Sequence, residues 1–291
     1  MSTTKAAFRL ATAQRVGLVS TFTTTSAGDS GGNTFIALGL QDVFPDELTD
    51  MWVMDINGVE RVIVNYDVAE GIAFVNRPFS AQVASGVTLY IYRRFAPSDF
   101  DNALRLALDD VYPYLAQLLV DTSVETVAGT YEYTVPTTIR DLERMMGGLV
   151  EIEVNTVEAT YPYRELRMWD TRRSTTAYTL TLNPREFVAE RTLRITGLAP
   201  LPFPSTEATA MLLDSPQTTL LQYATLYNLY STAQGAPKGD KTAAAQMEAK
   251  YRALYDQNKD VWGLILRASD LKSNDTGTSD GMPFAYYATP S

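Results

Sequence analysis

Short strand-like segments dominate the first third of the chain. Between residues 34 and 95, runs rich in Val, Ile, Tyr, Phe and Trp are separated by turn sequences such as Asn57-Gly58. Short runs of this composition, about ten residues apart, are typical of a small antiparallel barrel or sandwich. The pattern therefore predicts a first β module over residues 34–96, preceded by an N-terminal arm over residues 1–33.

The next segment has the periodicity of a helix. Its apolar residues form one stripe, which comprises Phe100, Ala103, Leu104, Ala107, Leu108 and Val111. We expect Ser98 to cap this helix and Asp101, three residues later, to complete a capping box. Pro113 is expected to kink or end the regular part, although apolar residues continue beyond it. The pattern predicts a connecting helix over residues 97–121.

Strict alternation returns in the middle of the chain, where LVEIEV and YTLTL place apolar and polar residues on opposite faces. A strand of a parallel sheet is covered on both faces, whereas these segments have one apolar and one polar face, which indicates an antiparallel sheet. A second antiparallel β domain is therefore predicted over residues 122–204, ending in the proline-rich run LAPLPFP.

The last part of the chain has two helical patterns and a polar end. Ser215-Pro216 is a typical helix start, and the turn GAPKGD separates the first helix from a second one. These patterns predict a helical hairpin over residues 205–268 and an extended C-terminal tail over residues 269–291, rich in Gly, Ser, Asp and Thr. The predicted fold is α+β, with two small antiparallel β modules joined by a helix.

Composition argues against an enzyme. The chain contains no cysteine and no histidine, which removes thiol chemistry, the commonest general base and the usual transition-metal ligands. The first twenty residues lack the basic start and apolar centre of a signal peptide, so we expect assembly in a cytoplasm. We expect no catalytic activity, no metal and no cofactor.

Two short motifs that resemble functional sites have simpler structural interpretations. GAPKGDKT is one residue shorter than a phosphate-binding P-loop and follows a helix, so an interhelical turn is the simpler interpretation. The adjacent carboxylates Asp109 and Asp110 point apart on a helix, which favours a solvated face over acid-base catalysis.

Charge and aromatic content point to protein contacts. Thirty-four acidic and 24 basic residues give a net charge of −10, which should repel nucleic acid. Seventeen tyrosines favour a sizeable interface, because aromatic residues with a polar tip are enriched in interfaces. Some of these side chains must also form the core of the helical hairpin. The expected interaction residues are Tyr223, Tyr227, Tyr230, Tyr251, Tyr255, Phe284, Tyr286 and Tyr287.

The order of these elements resembles a known family. The run DMWVMDINGVERVIVNYDVAEGIAFVNRPFSAQVASGVTLYIYRRFAPSDFDNAL looks like the β module and helix near the start of some neck proteins of tailed bacteriophages. YEYTVP, LVEIEV, YTLTL and TLRIT, followed by the proline-rich exit and two helices, are similar to head-to-tail connector adaptors. The resemblance covers most of residues 34–260.

The resemblance implies a non-enzymatic homo-oligomeric ring, twelve-fold in this family, in the neck of the virion. Such a ring docks to the portal protein, joins the capsid to a downstream neck or tail protein, and passes DNA through its channel without specific binding or membrane contact. Two alternatives stay open. One is another tail component, such as a tail terminator or tube protein, and the other is a glycan-binding β module with Trp52, Tyr90, Tyr92 or Trp169 as sugar platforms.

Overall fold

A computed structural model describes residues 3–42, 47–55, 58–112, 114–136, 139, 149–156, 162–173, 178–186, 188–211, 213–234 and 241–273. The fold is α+β with antiparallel sheets and a C-terminal helical region, which confirms the predicted class. The chain divides into two compact units. Unit 1 contains Met1–Val111 and Pro202–Lys259, and unit 2 contains Tyr112–Leu201 and Asp260–Ser291.

The elements follow one another in a fixed order. They are β1 (Thr3–Thr4), α1 (Lys5–Arg15), β2 (Val19–Thr23), β3 (Thr34–Ile36), a short 3-10 helix (Leu38–Asp42), β4 (Trp52–Met54), β5 (Glu60–Asp67), β6 (Ile72–Val75), β7 (Thr88–Tyr92), α2 (Pro97–Val111), β8 (Ala116–Asp121), β9 (Glu132–Thr134), β10 (Leu149–Asn155), β11 (Tyr163–Glu165), β12 (Trp169–Arg173), β13 (Tyr178–Leu182), β14 (Leu193–Pro200), β15 (Ala210–Met211), α3 (Ser215–Gln234) and α4 (Lys241–Ser273).

Six strands of unit 1 form a small closed barrel. They are hydrogen-bonded in the order β2-β7-β4-β5-β6-β3, and every pair is antiparallel. The chain just after β2 meets β3 through a bridge between Ser26 and Ile36, and Thr25 N donates to Ile36 O at 2.9 Å. This bridge joins the two edges of the sheet, and closure removes exposed edges.

The interior of the barrel is apolar. Its buried residues are Phe35, Ala37, Leu40, Leu48, Val53, Ile63, Ala73, Val75, Phe79, Val83, Leu89 and Ile91. Each large side chain in this set contributes about 1.5–3 kcal/mol by leaving water. The strand-like runs predicted between residues 34 and 95 correspond to β3 to β7, and β2 is an additional strand.

The beginning of the chain differs from the expected arm. Where we expected an arm over residues 1–33, the structure forms helix α1 and strand β2, both within unit 1. Thr4 caps α1, because its Oγ1 accepts a hydrogen bond from Ala7 N at 3.2 Å. The apolar face of α1 is narrow, because Lys5 and Arg9 are buried alongside Phe8. Because this buried face contains charged residues, the sequence shows no apolar stripe that would have predicted the helix.

The connecting helix is shorter than predicted and has a different cap. Ala96 N donates to Asp99 Oδ2 at 2.9 Å, and Asp99 N donates back to Ala96 O at 3.0 Å. The residues expected at the cap, Ser98 and Asp101, have other partners, since Ser98 N donates to Glu60 and Asp101 pairs with basic side chains of α1. Helix α2 ends at Val111, ten residues before the predicted limit of 121, and β8 follows.

The helices of unit 1 surround α3. Helix α3 contacts both α1 and α2, and its tyrosines contact those of α4. Buried residues occur all around α3, including Leu220, Leu221, Leu226 and Leu229. A helix that is apolar on every side is a central helix. The short strand β15 pairs with β1, which attaches the segment before α3 to the start of the chain.

Unit 2 contains two antiparallel sheets with a shared core. Their strand orders are β11-β10-β14-β8 and β12-β13-β9. Ile152 and Ile195 of the first sheet and Leu180 of the second are all fully buried in that core. The apolar residues of LVEIEV and YTLTL therefore face the core, but Glu153, predicted on a solvated face, is also buried and pairs with Arg194. Strand β8, predicted as part of the connecting helix, belongs to this unit.

Candidate interaction surface of the helical module

Stacked tyrosines join α3 to α4. The ring centroid of Tyr251 lies 6.3 Å from that of Tyr223 and 6.2 Å from that of Tyr230, with interplanar angles of 29° and 7°. A second pair, Tyr227 and Tyr255, has centroids 5.7 Å apart. Residues three, four or seven apart share one face of a helix, so the tyrosine spacing aligns these rings. The structure thus brings together all five tyrosines predicted for interaction.

Most of these rings are buried. The exposed fraction is 3% for Tyr230, 4% for Tyr251 and 6% for both Tyr227 and Tyr255, whereas Tyr223 is half-buried. Their contacts described above are within the chain, as expected for the tyrosines that form the hairpin core. Their binding to a partner stays a prediction. The three aromatic residues predicted in the tail, Phe284, Tyr286 and Tyr287, lie outside the described residues.

Asp110 connects three helices. It is exposed, as expected, but its Oδ2 accepts hydrogen bonds from the Tyr227 hydroxyl at 2.5 Å and from Asn228 Nδ2 at 2.7 Å. The Tyr255 hydroxyl donates to the Asp110 carbonyl at 3.1 Å. Burial raises the pKa of Tyr227, and the hydrogen bond to Asp110 raises it further. These bonds hold α2, α3 and α4 in one arrangement.

Three cations lie over the stacked rings. The guanidinium of Arg15 is 5.0 Å from the Tyr223 centroid, that of Arg94 is 5.8 Å from Tyr230, and Lys250 Nζ is 5.3 Å from Tyr251. These distances are within the range of a cation–π interaction, which is worth about 0.5–1 kcal/mol at an exposed site. We name this group the cation–tyrosine cluster, which comprises Arg15, Arg94, Lys250, Tyr223, Tyr230 and Tyr251.

The cations of the cluster are exposed and carry uncompensated charge. Across the part of the chain that the structure describes, no carboxylate forms an ion pair with Arg15, Arg94 or Lys250. By contrast, Arg93 and Lys259 of the same unit pair with carboxylates at 2.9 and 2.7 Å. The cluster therefore presents local positive charge on a chain whose net charge is −10.

The backbone of Arg94 is strained. Its φ is 68°, in the left-handed region that residues other than glycine rarely adopt. Its guanidinium also lies 5.5 Å from the ring of Phe95, which meets Tyr230 edge-on at 5.5 Å. Strain of about 1–3 kcal/mol persists only where the surroundings enforce it. The position of this exposed cation is therefore held by the fold.

A second polar cluster joins α1 to the segment before α3. Lys5 Nζ lies 2.7 Å from Asp101 and 3.3 Å from Glu207, and Arg9 pairs with the same two carboxylates at 2.9 and 2.5 Å. Arg9 also donates to Met54 Sδ at 3.0 Å. The charges compensate one another, so this cluster is suited to a structural role.

A cavity of about 270 Å³ adjoins this polar cluster, between α1 and strands β4 and β7. Its lining includes Arg9, Met54, Tyr90, Tyr92 and Glu207. Because Arg9 and Glu207 are paired with each other, their charges are not available to polarise a substrate. Tyr92 is 1% exposed, which excludes it as the sugar platform that the glycan-binding alternative proposed.

Comparisons with other proteins leave the family open. No protein-family model matches the chain, and no curated protein sequence matches it. Within the described ranges, no group of three or more Asp, Glu, His or Cys side chains could hold a metal ion. No helix among those residues combines the length and apolar character needed to cross a membrane.

The sequence pattern identified the tyrosines but not the cations above them. Lys250 and Arg94 are each adjacent to an aromatic residue in the chain, which is a weak signal. Arg15 was assigned to the expected arm, so nothing in the sequence placed it near Tyr223.

Proposed function

We propose that this chain is a structural subunit of a phage neck ring, a head-to-tail connector adaptor. The ring docks to the portal protein, joins the capsid to a downstream neck or tail protein, and surrounds a channel for DNA. The family resemblance suggests twelve copies. Assembly takes place in the cytoplasm of the bacterial host, and the mature ring lies between capsid and tail.

The cation–tyrosine cluster is the observation that carries this proposal. Three exposed cations lie on an ordered aromatic platform and have no carboxylate partner among the described residues. Tyrosine and arginine are the residue types that most often dominate binding energy at protein interfaces. Because the platform is already packed, binding a partner requires little further ordering of side chains.

The chemistry of the described residues agrees with a binding role. Arg9 and Glu207, two of the charged residues that line the cavity, already form an ion pair with each other. A ring subunit needs complementary surfaces on its sides instead of reacting groups, and head-to-tail contacts generate a ring when the rotation between copies closes. A net charge of −10 also suits a channel, because carboxylates repel the phosphates of passing DNA.

Partner choice tests this function. The full chain would be co-expressed with the portal protein, and separately with the tail tube protein, of the phage that encodes it. Mass photometry of each mixture would count the copies bound. An adaptor should form a multi-copy complex with the portal and none with the tube protein. Binding to the tube protein alone would assign the chain to the tail, as one of the alternatives above proposes.

A further inference from the structure

We propose that the cation–tyrosine cluster binds the hairpin between strands β5 and β6 of a neighbouring copy of the chain. This proposal rests on the ring function, because a ring brings neighbouring copies into contact. It assigns one side of the subunit contact to the helices of unit 1 and the other side to the barrel.

The barrel carries most of the negative charge of the chain. Residues 19–92 contain nine Asp and Glu residues but only two basic residues, Arg61 and Arg77, which gives −7 of the total of −10. The three cations of the cluster, which have no carboxylate partner among the described residues, and the acidic barrel are complementary surfaces of the same molecule. Complementary charge guides partners into register and disfavours like-charged alternatives.

The β5–β6 hairpin is the part of the barrel that best matches the cluster. Asp67 and Glu70 are exposed at its turn, and two apolar side chains on its strands are exposed as well. Val64 is 48% and Phe74 37% exposed, whereas the barrel interior is closed to solvent. The register of β5 against β6 shifts between Ile63 and Asn65, so Val64 lies at a bulge. The hairpin thus offers both carboxylates and apolar contacts to a cationic aromatic surface.

The turn of the hairpin is already ordered. Asp67 Oδ1 accepts hydrogen bonds from Ala69 N at 2.9 Å and from Glu70 N at 3.4 Å. Gly71 follows with a φ of 65°, and its carbonyl accepts from Ala37 N at 3.0 Å. A preformed loop loses little conformational freedom when it binds. Both partners of the proposed contact are therefore held in place before they meet.

The strand order places the two surfaces on different sides of the barrel. In a closed order of six strands, β6 lies three positions from β7. Strand β7 faces the helices, because the ring centroid of Tyr92 at its end lies 5.8 Å from that of Phe100 in α2, and Arg94 follows two residues later. The hairpin and the cluster are thus distinct patches of one subunit. Such a pair makes a head-to-tail contact, which is the kind of contact that builds a ring.

A protein partner fits the cluster better than DNA. Three cations can neutralise only a few phosphates, and the rest of the chain repels a polyanion through its charge of −10. The apolar residues Val64 and Phe74 of the hairpin can pack against the half-buried ring of Tyr223, whereas a phosphate backbone offers no such apolar contact.

Cysteine cross-linking tests the contact directly, because the chain contains no natural cysteine. Glu70→Cys on the hairpin and Lys250→Cys on the cluster would be combined in one full-length chain. The protein would be treated with a short bis-maleimide, both alone at high concentration and co-expressed with the portal protein. Repeated head-to-tail contacts should give a ladder of covalent oligomers on a denaturing gel.

Matched variants define the outcome. The pair Ser85→Cys and Lys250→Cys uses another exposed barrel residue and should give no ladder, and Lys250→Cys alone should give no dimer. A further chain carries Asp67→Cys and Lys250→Cys, so that the hairpin can still be cross-linked while Glu70 is varied. Adding Glu70→Lys to this chain should reduce the ladder about five-fold. Dimers from Lys250→Cys alone, or equal ladders from the Glu70 and Ser85 pairs, would overturn the proposal.

The two proposals can fail separately. Multi-copy complexes on the portal without a Glu70–Lys250 ladder would refute this contact and leave the ring function in place. A ladder from chains that never bind the portal would support the contact and refute the neck function. Binding of a fluorescent DNA duplex that is abolished by Lys250→Glu would assign the cluster to DNA and overturn the hairpin as its occupant.

Discussion

Arg9 donates a hydrogen bond to Glu207 at 2.5 Å although the two residues are 198 positions apart in the chain. The side chain of Arg9 is 4% exposed and also contacts Asp101 at 2.9 Å. Because a buried charge is stable only when it is paired, this contact joins α1, α2 and the segment before α3. The contact makes the first and last parts of unit 1 depend on each other.

Replacing Arg9 should therefore destabilise the whole of unit 1. Arg9→Met leaves two carboxylates without their guanidinium, and we expect a loss of about 2–4 kcal/mol in the free energy of unfolding. The expected loss of stability is smaller than for a fully buried ion pair, because Asp101 and Glu207 are partly exposed. Urea denaturation followed by circular dichroism measures it. Arg77→Met, at an exposed position, should change stability by less than about 0.5 kcal/mol, and equal effects would refute the structural role.

The same network predicts a dependence on pH. Burial alone would raise the pKa of Glu207, but the hydrogen bond and charge of Arg9 and the charge of Lys5 outweigh it, so the pKa lies below its ordinary value of 4.5. A carboxylate with a lowered pKa stabilises the fold above its ordinary pKa, and this contribution is lost as the pH falls through the folded value.

Glu207→Gln should reveal this contribution. We expect the variant to be less stable than the natural chain at about pH 7, with a difference that shrinks steadily below about pH 4.5. Urea unfolding at several pH values, with Glu70→Gln as an exposed control, provides the measurement. A difference that is the same at neutral and acidic pH would contradict the role assigned to the ionised carboxylate.

Much of the fold could be predicted because local pattern and tertiary burial agree. Leu180 and Leu182 alternate with threonines and are buried, and the apolar stripe of α2 is buried residue for residue. Helix α1 was not predicted because its buried face contains Lys5 and Arg9, and the carboxylates that pair with these two residues lie far away in sequence. Long-range ion pairs leave no periodic signal in the chain.

Only the tyrosines of the candidate surface could be predicted, because only they have a periodic spacing in the sequence. Tyrosine spacing on two helices indicates that the rings share a face, but it does not reveal which cations will cover them. Arg15 and Arg94 reach the rings because α1 and the end of β7 meet α3, and that arrangement depends on the complete fold of unit 1.

Asp110 offers a test of how the three helices are held together. Asp110→Ala removes the acceptor of the Tyr227 hydroxyl, which is itself 6% exposed, and should destabilise the chain by about 1–2 kcal/mol. Asp109→Ala is the matched control, because Asp109 is also exposed but makes no hydrogen bond to α3 among the described residues, and it should change stability by less than about 0.5 kcal/mol. In the background of Tyr227→Phe, the effect of Asp110→Ala should become smaller. Equal effects in both backgrounds would contradict the coupling.

Two glycines in the left-handed region separate a steric clash from backbone strain. A Cβ at Gly71, where φ is 65°, would lie 2.7 Å from the Ala37 carbonyl oxygen, whereas a Cβ at Gly86, where φ is 79°, would meet nothing within 4 Å. Gly86→Ala should therefore lower stability by about 1–2 kcal/mol and Gly71→Ala by clearly more. Thermal unfolding of both variants measures the difference, and similar losses would mean that Gly71 is not closely packed against Ala37.

Imaging of the chain bound to its portal tests the ring function most directly. Under the proposed function, the full chain would be co-expressed with the portal protein of the phage that encodes it, and the purified mixture would be examined by negative-stain electron microscopy with class averaging. We predict a closed ring of copies around an open channel at one end of the portal. A chain that remains a monomer in the presence of the portal, or that binds it without forming a ring, would contradict the proposed function.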